Sequence, residues 1–293
     1  MCSLLLSTSC GGAASNASSA SIPQVRHVVI LVLENANYSD VVGSVNAPYI
    51  NGLIAQGGLA TNYFANHHPS LPNYFVMTTG MSPTVTDSAS VLLGDNVVHE
   101  LQAAAKSWKV YVENLPKTGY VGPTVFPYLR PTNAFSYFSD LQPPSALAAN
   151  VVDITQLTAD LNSNTLPAYS FVIPNAFDNG HSCPEGEQTC AESVLVSDAD
   201  TWLSHNLPTL LNNSEFQQSG LLLLTTDESR DDNTHGGGHI MTALLGTGVK
   251  AGYKGDGMYD HRSLLSLSLT ALGVTAIPNG AGEANQMNEF FGQ

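Results

Sequence analysis

Ser70 is the residue of this sequence best placed to act as a nucleophile. It lies in the stretch 66–80, whose pattern predicts a short helix. Ser70 suits the N-cap of this helix, Pro72 its first turn and Gly80 its end. The free N–H groups and the dipole at a helix start favour an anion such as phosphate, and Asn73, one turn on, has an amide to donate. The alternative is that Ser70 caps the helix and does nothing else.

A second set of candidates carries hard oxygen ligands of the kind that Ca²⁺, Mg²⁺ and Mn²⁺ prefer. The set is Glu34, Asn35, Asp227 and Glu228. Three carboxylates buried together without a cation would repel one another and take up protons. A divalent cation would remove this repulsion, lower the pKa of the Ser70 hydroxyl and activate it for attack on phosphorus. The expected intermediate is a phosphoserine, which water then hydrolyses.

Four histidines could add to this chemistry. His181 and His261 could hydrogen-bond the phosphoryl oxygens or protonate the leaving alcohol. The alternative for His181 is an ordinary surface histidine, and the alternative for the pair 227–228 is a solvated loop. His235 and His239 could ligate a metal by composition, but the three glycines between them favour a flexible loop.

Composition limits the class of protein. The chain has 293 residues, of which 43% are hydrophobic and 11% charged, so it can bury a sizeable core and is not a disordered chain. Its formal net charge of −15 argues against nucleic acid as a partner. An anionic substrate would therefore need a local attraction, such as a metal ion or a helix N-terminus. No stretch after the N-terminus reaches eighteen apolar residues, so we expect no transmembrane helix.

The N-terminus and the cysteines bear on the compartment. Residues 1–22 predict a lipoprotein-like signal, with Cys10 as the lipidated residue, followed by a flexible tether rich in Ala, Ser and Gly. The match is imperfect, and the alternative is a disordered N-terminus without a role in export. Cys183 and Cys190 bracket six polar residues and predict a disulfide, whereas their spacing disfavours zinc. We therefore expect an exported protein that is periplasmic, held at the cell surface or secreted.

Apolar runs and amphipathic segments alternate along residues 23–293, which we interpret as one domain. Strands are predicted over 26–33, 59–64, 109–112, 168–173, 220–224 and 240–245, and helices over 48–57, 70–80, 97–108, 153–162, 193–211 and 263–272. This alternation predicts an α/β fold with a mostly parallel central sheet and helices on both faces. Ligands bind beyond the carboxyl ends of such strands, and the runs that end at Leu33, Ile173 and Leu224 are followed by polar residues. We expect those residues to converge near Ser70.

Eight short motifs follow one another along the chain, at 32–35, 68–74, 107–113, 166–175, 180–181, 200–203, 226–228 and 259–265. In this order they resemble the phosphoesterase family of acid phosphatases and phosphatidylcholine-type phospholipases C, within the alkaline-phosphatase-like superfamily. The resemblance implies Ser70 as nucleophile. It implies Glu34, Asn35, Asp227 and Glu228 as metal ligands together with Ser70. It also implies Asn73, His181 and His261 as residues around the phosphate. Zinc, which superfamily relatives commonly use, joins the candidate metals.

The sequence departs from the family pattern at two places. Many relatives have Lys-His-Asn-Pro where residues 130–134 read Arg-Pro-Thr-Asn-Ala, and the usual Asn-Asp-Gly-His reads Asp-Asn-Gly-His at 178–181.

The expected activity is hydrolysis of small phosphate monoesters, because the chain is short and shows no further segment to engage lipid. A phosphodiesterase or phospholipase C is the alternative. A hypothesis of another class is a surface lipoprotein that binds without turnover.

Overall fold

The computed structural model describes residues 21–92 and 94–292. Its centre is a sheet whose strands in chain order are β1 His27–Leu33, β2 Gly58–Ala60, β3 Trp108–Val112, β4 Val151–Asp153, β5 Tyr169–Ile173, β6 Gly220–Thr226, β7 Thr242–Gly246 and β8 Tyr253–Gly255. Across the sheet they lie in the order β4-β3-β5-β1-β6-β7-β2-β8. Within this described part, β7 runs antiparallel to its neighbours β6 and β2, and the other pairs are parallel. The mostly parallel sheet predicted from the sequence is confirmed.

Helices connect these strands. They are α1 Tyr38–Val41, α2 Pro48–Gln56, α3 Ser70–Thr79, α4 Val97–Ala103, α5 Thr155–Asn162, α6 Glu192–Leu211, α7 Ser214–Ser219 and α8 His261–Ala271. Short 3₁₀ helices lie at Arg130–Thr132, Ala134–Tyr137, Ser139–Leu141, Ala146–Asn150, Thr234–Gly236, Pro278–Glu283 and Asn288–Phe290. The first four of these lie between β3 and β4, a stretch for which the sequence predicts no helix or strand.

The sheet separates two apolar cores, and β1 contributes to both. Val28 and Ile30 belong to the core that α3, α4 and α8 cover. Val29 and Leu31 belong to the core that α2 and α6 cover. Successive side chains of a strand point to opposite faces, so a strand covered on both sides is apolar at every position. Helices therefore lie on both faces of the sheet, as expected.

The boundaries of several elements differ from the prediction. The predicted helix 97–108 ends at Ala103, because Ala105 takes a left-handed φ of 52° before β3 begins. The predicted strand 59–64 is the three-residue β2. Four elements, α1, α7, β4 and β8, were not predicted, since elements of three to six residues carry too little periodicity.

Two expectations about the compartment meet the structure differently. The disulfide between Cys183 and Cys190 is formed, as predicted. The signal-like segment and Cys10 lie outside the described residues, apart from the last two positions of the predicted tether. Within residues 21–92 and 94–292, no helix has both the length and the apolar character needed to cross a bilayer.

Candidate active site

Ser70 lies against the acidic residues that follow the two central strands. Leu33 of β1 is in register with Thr226 of β6, so the residues after them leave the sheet at the same edge. The Ser70 Oγ atom is 2.9 Å from Oε2 of Glu34 and 3.3 Å from Oε1 of Glu228. The structure thus brings together the predicted nucleophile and the predicted ligands from both strands.

The start of α3 explains why the Ser70 hydroxyl points at these acids. The helix begins at Ser70 itself, and Pro69 occupies the N-cap position. The prediction that Ser70 is the N-cap is therefore wrong by one residue, and its hydroxyl makes no cap bond. The N–H of Leu71 donates to Oδ1 of Asp87 at 3.1 Å, so a carboxylate from a distant loop meets one of the unpaired N–H groups of the first turn. The hydroxyl is left to donate to Glu34 or Glu228.

Asp227 organises the backbone on both sides of the site. Its Oδ1 accepts from the N–H of Asn35 at 3.1 Å and from the N–H of Glu228 at 2.7 Å. Asn35 takes a left-handed φ of 45°, which asparagine tolerates better than most residues. The other oxygen of Asp227, Oδ2, is buried and has no hydrogen-bond partner among the described residues. It is available to an additional ligand.

Burial makes three adjacent ionised acids costly here. Desolvation raises the pKa of Glu34 to about 7, and desolvation together with the charge of Asp227 raises that of Glu228 to about 8. The pKa of Asp227 is raised well above its ordinary value by burial and by the charge of Glu34. A hydroxyl carries one proton, so Ser70 can donate to one of its two acidic neighbours at a time. The site therefore requires bound protons or a cation.

The donor set fits a hard divalent cation. Such ions prefer carboxylate, amide and hydroxyl oxygens as ligands. The Oδ2 atom of Asp227, which has no hydrogen-bond partner among the described residues, could serve as one of these ligands. In the part of the chain that the structure describes, no group of three or more His, Cys, Asp and Glu side chains is arranged to hold a metal by itself. A cation here would therefore also need the amide of Asn35 and the hydroxyl of Ser70.

His261 is placed differently from what its predicted role suggests. The residue is fully buried at the first position of α8. Its Nε2 lies 2.6 Å from the carbonyl oxygen of Asp227 and its Nδ1 lies 3.1 Å from the hydroxyl of Tyr63. A carbonyl accepts, so Nε2 carries the proton and Nδ1 accepts from Tyr63. Burial lowers the pKa of His261 to about 4, and the neutral ring braces the main chain of a predicted ligand. Its contact with phosphate stays a prediction.

Asn73 is likewise engaged by the protein. Its Oδ1 accepts from the N–H groups of Asn66 and His67 at 3.1 and 3.0 Å, and its Nδ2 donates to the carbonyl oxygen of His67 at 2.8 Å. The amide is fully buried. It holds the loop that leads into Ser70, so a phosphate contact would have to replace one of these bonds.

His181 lies on the surface loop that follows β5. Its Nδ1 is 3.0 Å from Oγ of Ser182. The residue is exposed by surface area, yet enough protein surrounds the ring to lower its pKa by desolvation. The loop is joined to the acidic cluster, because the N–H of Glu34 donates to the carbonyl oxygen of Asn179 at 2.8 Å. His181 is therefore carried by a loop that is bonded to the site, and among the residues that the structure describes it makes no hydrogen bond to Ser70.

Two residues of the site were not singled out from the sequence. His68 Nδ1 lies 2.6 Å from Oε2 of Glu228, and the hydroxyl of Tyr74 donates to Oε1 of Glu34 at 2.8 Å. Both belong to the motif around Ser70, and Tyr74 follows Ser70 by one helical turn. The i,i+4 spacing was the available signal, since it puts two side chains on one face of a helix.

His235 and His239 pack on aromatic rings. His235 meets Phe64 edge-to-face with ring centroids 4.4 Å apart, and His239 stacks on Tyr38 at 4.1 Å. His239 Nε2 also lies 3.0 Å from the carbonyl oxygen of Thr61. These contacts agree with the interpretation of residues 235–239 as a loop.

Comparison with known proteins defines the family. The model of the Phosphoesterase family matches residues 45–272, so the chain belongs to that family. A phosphatidylinositol-3-phosphatase from Mycobacterium tuberculosis is 30% identical over 234 residues, which are 79% of this chain and 72% of that protein. A phosphate-repressible acid phosphatase from Penicillium chrysogenum is 28% identical over 250 residues, which are 82% of this chain and 57% of that protein.

A solved structure supports the fold. A protein of the alkaline phosphatase superfamily from Vibrio parahaemolyticus superposes with a TM-score of 0.61 at 15% identity, covering 88% of this chain and 69% of that one. At this identity the likeness concerns the fold. The chain spans between 52% and 58% of the length of four fungal relatives. The match of the family model begins after β1, so Glu34 and Asn35 lie outside it.

Proposed function

We propose that this protein hydrolyses phosphate monoesters through nucleophilic attack by Ser70. The observation that carries the proposal is the position of the Ser70 Oγ between Oε2 of Glu34 and Oε1 of Glu228, at 2.9 and 3.3 Å. A hydroxyl in contact with carboxylates has a proton acceptor beside it, as a serine nucleophile requires. Membership of the Phosphoesterase family supports phosphorus as the electrophile.

The proposed reaction has two steps. The Ser70 oxygen attacks phosphorus, its proton passes to Glu34 or Glu228, and the P–O bond to the leaving alcohol breaks as the alcohol oxygen takes a proton from solvent water. The oxygen of a water molecule then attacks the phosphoserine, the P–O bond to Ser70 breaks, phosphate leaves, and the acid returns its proton to the Ser70 oxygen. His181, on the adjoining loop, is our candidate for contact with the phosphoryl group or the leaving alcohol.

The chain's own groups are suited to a bound divalent cation. Glu34, Asn35, Asp227 and Glu228 would hold it together with Ser70. When bound, such a cation would neutralise the buried carboxylates, lower the pKa of the hydroxyl and offset the charge of the phosphate. Oxygen ligands favour Ca²⁺, Mg²⁺ and Mn²⁺. Zn²⁺ is the fourth candidate, because the family resemblance implies it.

Monoesters are preferred over diesters as substrates. Both relatives described above are named as phosphatases, one an acid phosphatase and the other a phosphatidylinositol-3-phosphatase. A phosphodiesterase of the phospholipase C type is the second candidate. Its chemistry would be the same except for the group that fills the second ester position on phosphorus. A non-catalytic lipoprotein is the weaker hypothesis, since binding alone gives no reason to bury Ser70 against acids.

We also propose that the protein is exported. The Cys183–Cys190 disulfide supports this, because disulfides persist in oxidising compartments. Attachment through a lipid at Cys10 remains a prediction from the sequence.

Turnover by a Ser70→Ala variant tests the proposal. We expect the wild-type protein to hydrolyse p-nitrophenyl phosphate faster than bis(p-nitrophenyl) phosphate. The variant should lose several orders of magnitude in kcat on both, with unchanged folding by circular dichroism. Ser204→Ala, on the surface of α6, is the matched control and should keep the wild-type rate. A Ser70→Ala protein with undiminished turnover would exclude Ser70 as the nucleophile, and faster turnover of the diester would favour the second candidate.

A further inference from the structure

An open pocket of ≈ 690 Å³ borders His181 on the side of the disulfide loop. Its walls are formed by Phe126 and Pro127 on one side, by Phe177 next to them, and by residues 181–188 on the other. Binding sites are concave regions that combine apolar surface with a few polar groups. This pocket has both features, and of its lining only His181 has a place in the chemistry proposed for Ser70.

Two aromatic rings form the apolar corner of this pocket. The rings of Phe126 and Phe177 meet edge-to-face, with centroids 5.0 Å apart and planes at 86°. Phe126 is 56% exposed, although a phenylalanine gains by leaving water. An aromatic ring with a free face can stack on another flat, apolar group. The corner therefore suits a planar ligand.

The backbone holds the walls together. The N–H of Ala176 donates to the carbonyl oxygen of Pro127 at 3.0 Å, which joins the two Phe-bearing segments. The N–H of Ser182 donates to the carbonyl oxygen of Ala176 at 2.7 Å, and the Cys183–Cys190 disulfide closes the loop that follows. The aromatic corner and the loop are thus parts of one built pocket.

The same loop connects the pocket to the candidate active site. The N–H of Glu34 donates to the carbonyl oxygen of Asn179, two residues before His181. The N–H of Ala176, on the same segment, donates to the carbonyl oxygen of Pro127 in the pocket wall. The segment 176–181 is therefore hydrogen-bonded both to Glu34 of the acidic cluster and to the wall that carries the aromatic corner.

The negative charge of the disulfide loop, opposite the aromatic corner, disfavours ligands that are themselves negatively charged. Glu185 and Glu187 are exposed on the disulfide loop and line the pocket. Two carboxylates at the mouth repel a ligand that carries further negative charge. The chain as a whole has a formal net charge of −15, so its overall charge does not offset this repulsion.

We propose that this pocket binds the leaving group of the substrate and selects phosphate monoesters whose alcohol is a flat aromatic group without additional negative charge. The inference rests on the phosphatase function proposed above. Phe126 and Phe177 would stack on the aromatic group while Ser70 meets the phosphate, and the acidic disulfide loop would disfavour substrates with a second phosphate.

A comparison of two esters in three variants tests the aromatic corner. We expect Phe126→Ala to lower kcat/KM for 1-naphthyl phosphate by about 10-fold and to leave that for glycerol 2-phosphate within about 2-fold, since stacking is lost only with the aromatic ester. Phe126→Trp should restore the preference. Met258→Ala is the matched control, because Met258 is 50% exposed and lines a second open pocket, beside Asn66.

The outcomes separate the inference from the function on which it rests. No turnover of either ester by the wild-type protein would end the phosphatase proposal. Normal turnover with an equal effect of Phe126→Ala on both esters would overturn the leaving-group pocket. A loss of aromatic preference in Met258→Ala but not in Phe126→Ala would also overturn it and assign the leaving group to the second pocket.

A charge variant tests the acidic wall independently. We expect the double variant Glu185→Gln and Glu187→Gln to raise kcat/KM for fructose 1,6-bisphosphate about threefold at low salt, and the gain should shrink as salt rises. Glycerol 2-phosphate serves as the reference substrate and should not change by more than about 1.5-fold, because its leaving group is neutral. An equal gain on both substrates, or none on the bisphosphate, would contradict the selection by charge.

Discussion

The Oγ atom of Ser70 lies 2.9 Å from Oε2 of Glu34, although 36 residues separate the two in sequence. Glu34 follows the central strand β1, and α3 packs on the core that β1 shares. One turn after Ser70, the hydroxyl of Tyr74 donates to the other oxygen of the same carboxylate at 2.8 Å. A single turn of α3 therefore holds both oxygens of Glu34, so the acid and the hydroxyl are oriented by the same helix.

Removal of the Tyr74 hydroxyl should weaken this arrangement. Tyr74→Phe leaves one oxygen of the buried Glu34 without its donor, so we expect a loss of about 1–3 kcal/mol in the free energy of unfolding. We expect kcat to fall about tenfold, because the carboxylate beside Ser70 is no longer held. Urea denaturation and steady-state kinetics measure the two effects.

Tyr169→Phe is the matched control for this experiment. The Tyr169 hydroxyl is buried and makes no hydrogen bond within the residues described, so its removal costs no interaction. We expect a stability change below about 0.5 kcal/mol, or a small gain. Equal losses in the two variants would show that the Tyr74–Glu34 hydrogen bond contributes nothing.

Cation binding should be detectable without turnover. A ligand that binds the native state at a concentration 100 times its Kd adds about 2.7 kcal/mol to stability. We therefore expect one of Mg²⁺, Ca²⁺, Mn²⁺ or Zn²⁺ to raise the Tm of chelator-treated protein by several degrees. Asp227→Asn should abolish most of this rise, since it removes the charge of a carboxylate whose Oδ2 has no partner in the described chain.

The Tm of Asp227→Asn in the absence of a cation is a second measurement on this variant. Without a cation, Asp227→Asn replaces a carboxyl whose pKa is raised by burial and by the charge of Glu34, and the asparagine Oδ1 can still accept from the N–H groups of Asn35 and Glu228. The substitution should therefore not lower the Tm of the metal-free protein. Asp256→Asn, at an exposed position after β8, should respond to cations like the wild type. If none of the four ions shifts the wild-type Tm, the proposed ligand set is refuted.

The strand ends were predictable because β1 and β6 are apolar at every position. Such runs are buried on both faces, and their carboxyl ends share one edge, so Glu34 and Glu228 could be expected near each other. The start of α3 was predictable within one residue from Ser70 and Pro72. The order of the motifs along the chain resembled the phosphoesterase family, and the comparison with known proteins confirmed that family.

The orientation of individual side chains was not predictable. Nothing in the sequence says that the side-chain amide of Asn73 is bonded to backbone groups of Asn66 and His67. Nor does it say that one ring nitrogen of His261 is bonded to the carbonyl of Asp227 and the other to the hydroxyl of Tyr63. These bonds depend on how a loop folds back on its own helix and on how α8 meets the end of β6. Asp87 gave no signal either, because it reaches the start of α3 from a loop without periodicity.

Acid stability should depend on an ion pair away from the site. Asp160 of α5 is buried and accepts from Lys109 Nζ at 2.6 Å and from the Tyr111 hydroxyl at 2.7 Å. Burial alone would raise the pKa of Asp160, but the hydrogen bonds from Lys109, Tyr111 and Gln156 outweigh it and bring the pKa below its ordinary value. The ionised form is therefore favoured by folding.

The sign of the pH dependence follows from this lowered pKa. The contribution of Asp160 is fully present above the pKa of an unfolded aspartate, about 3.9, and is lost as the pH falls through the lower folded value. We expect Asp160→Asn to cost about 2 kcal/mol at pH 7, because the pair with Lys109 is lost, and the difference from wild type to shrink below about pH 4. Urea denaturation of both proteins at pH 7, 5 and 3, with the exposed Asp256→Asn as control, measures it. A difference that grows on acidification would mean that folding favours the protonated form of Asp160, opposite to what its hydrogen bonds require.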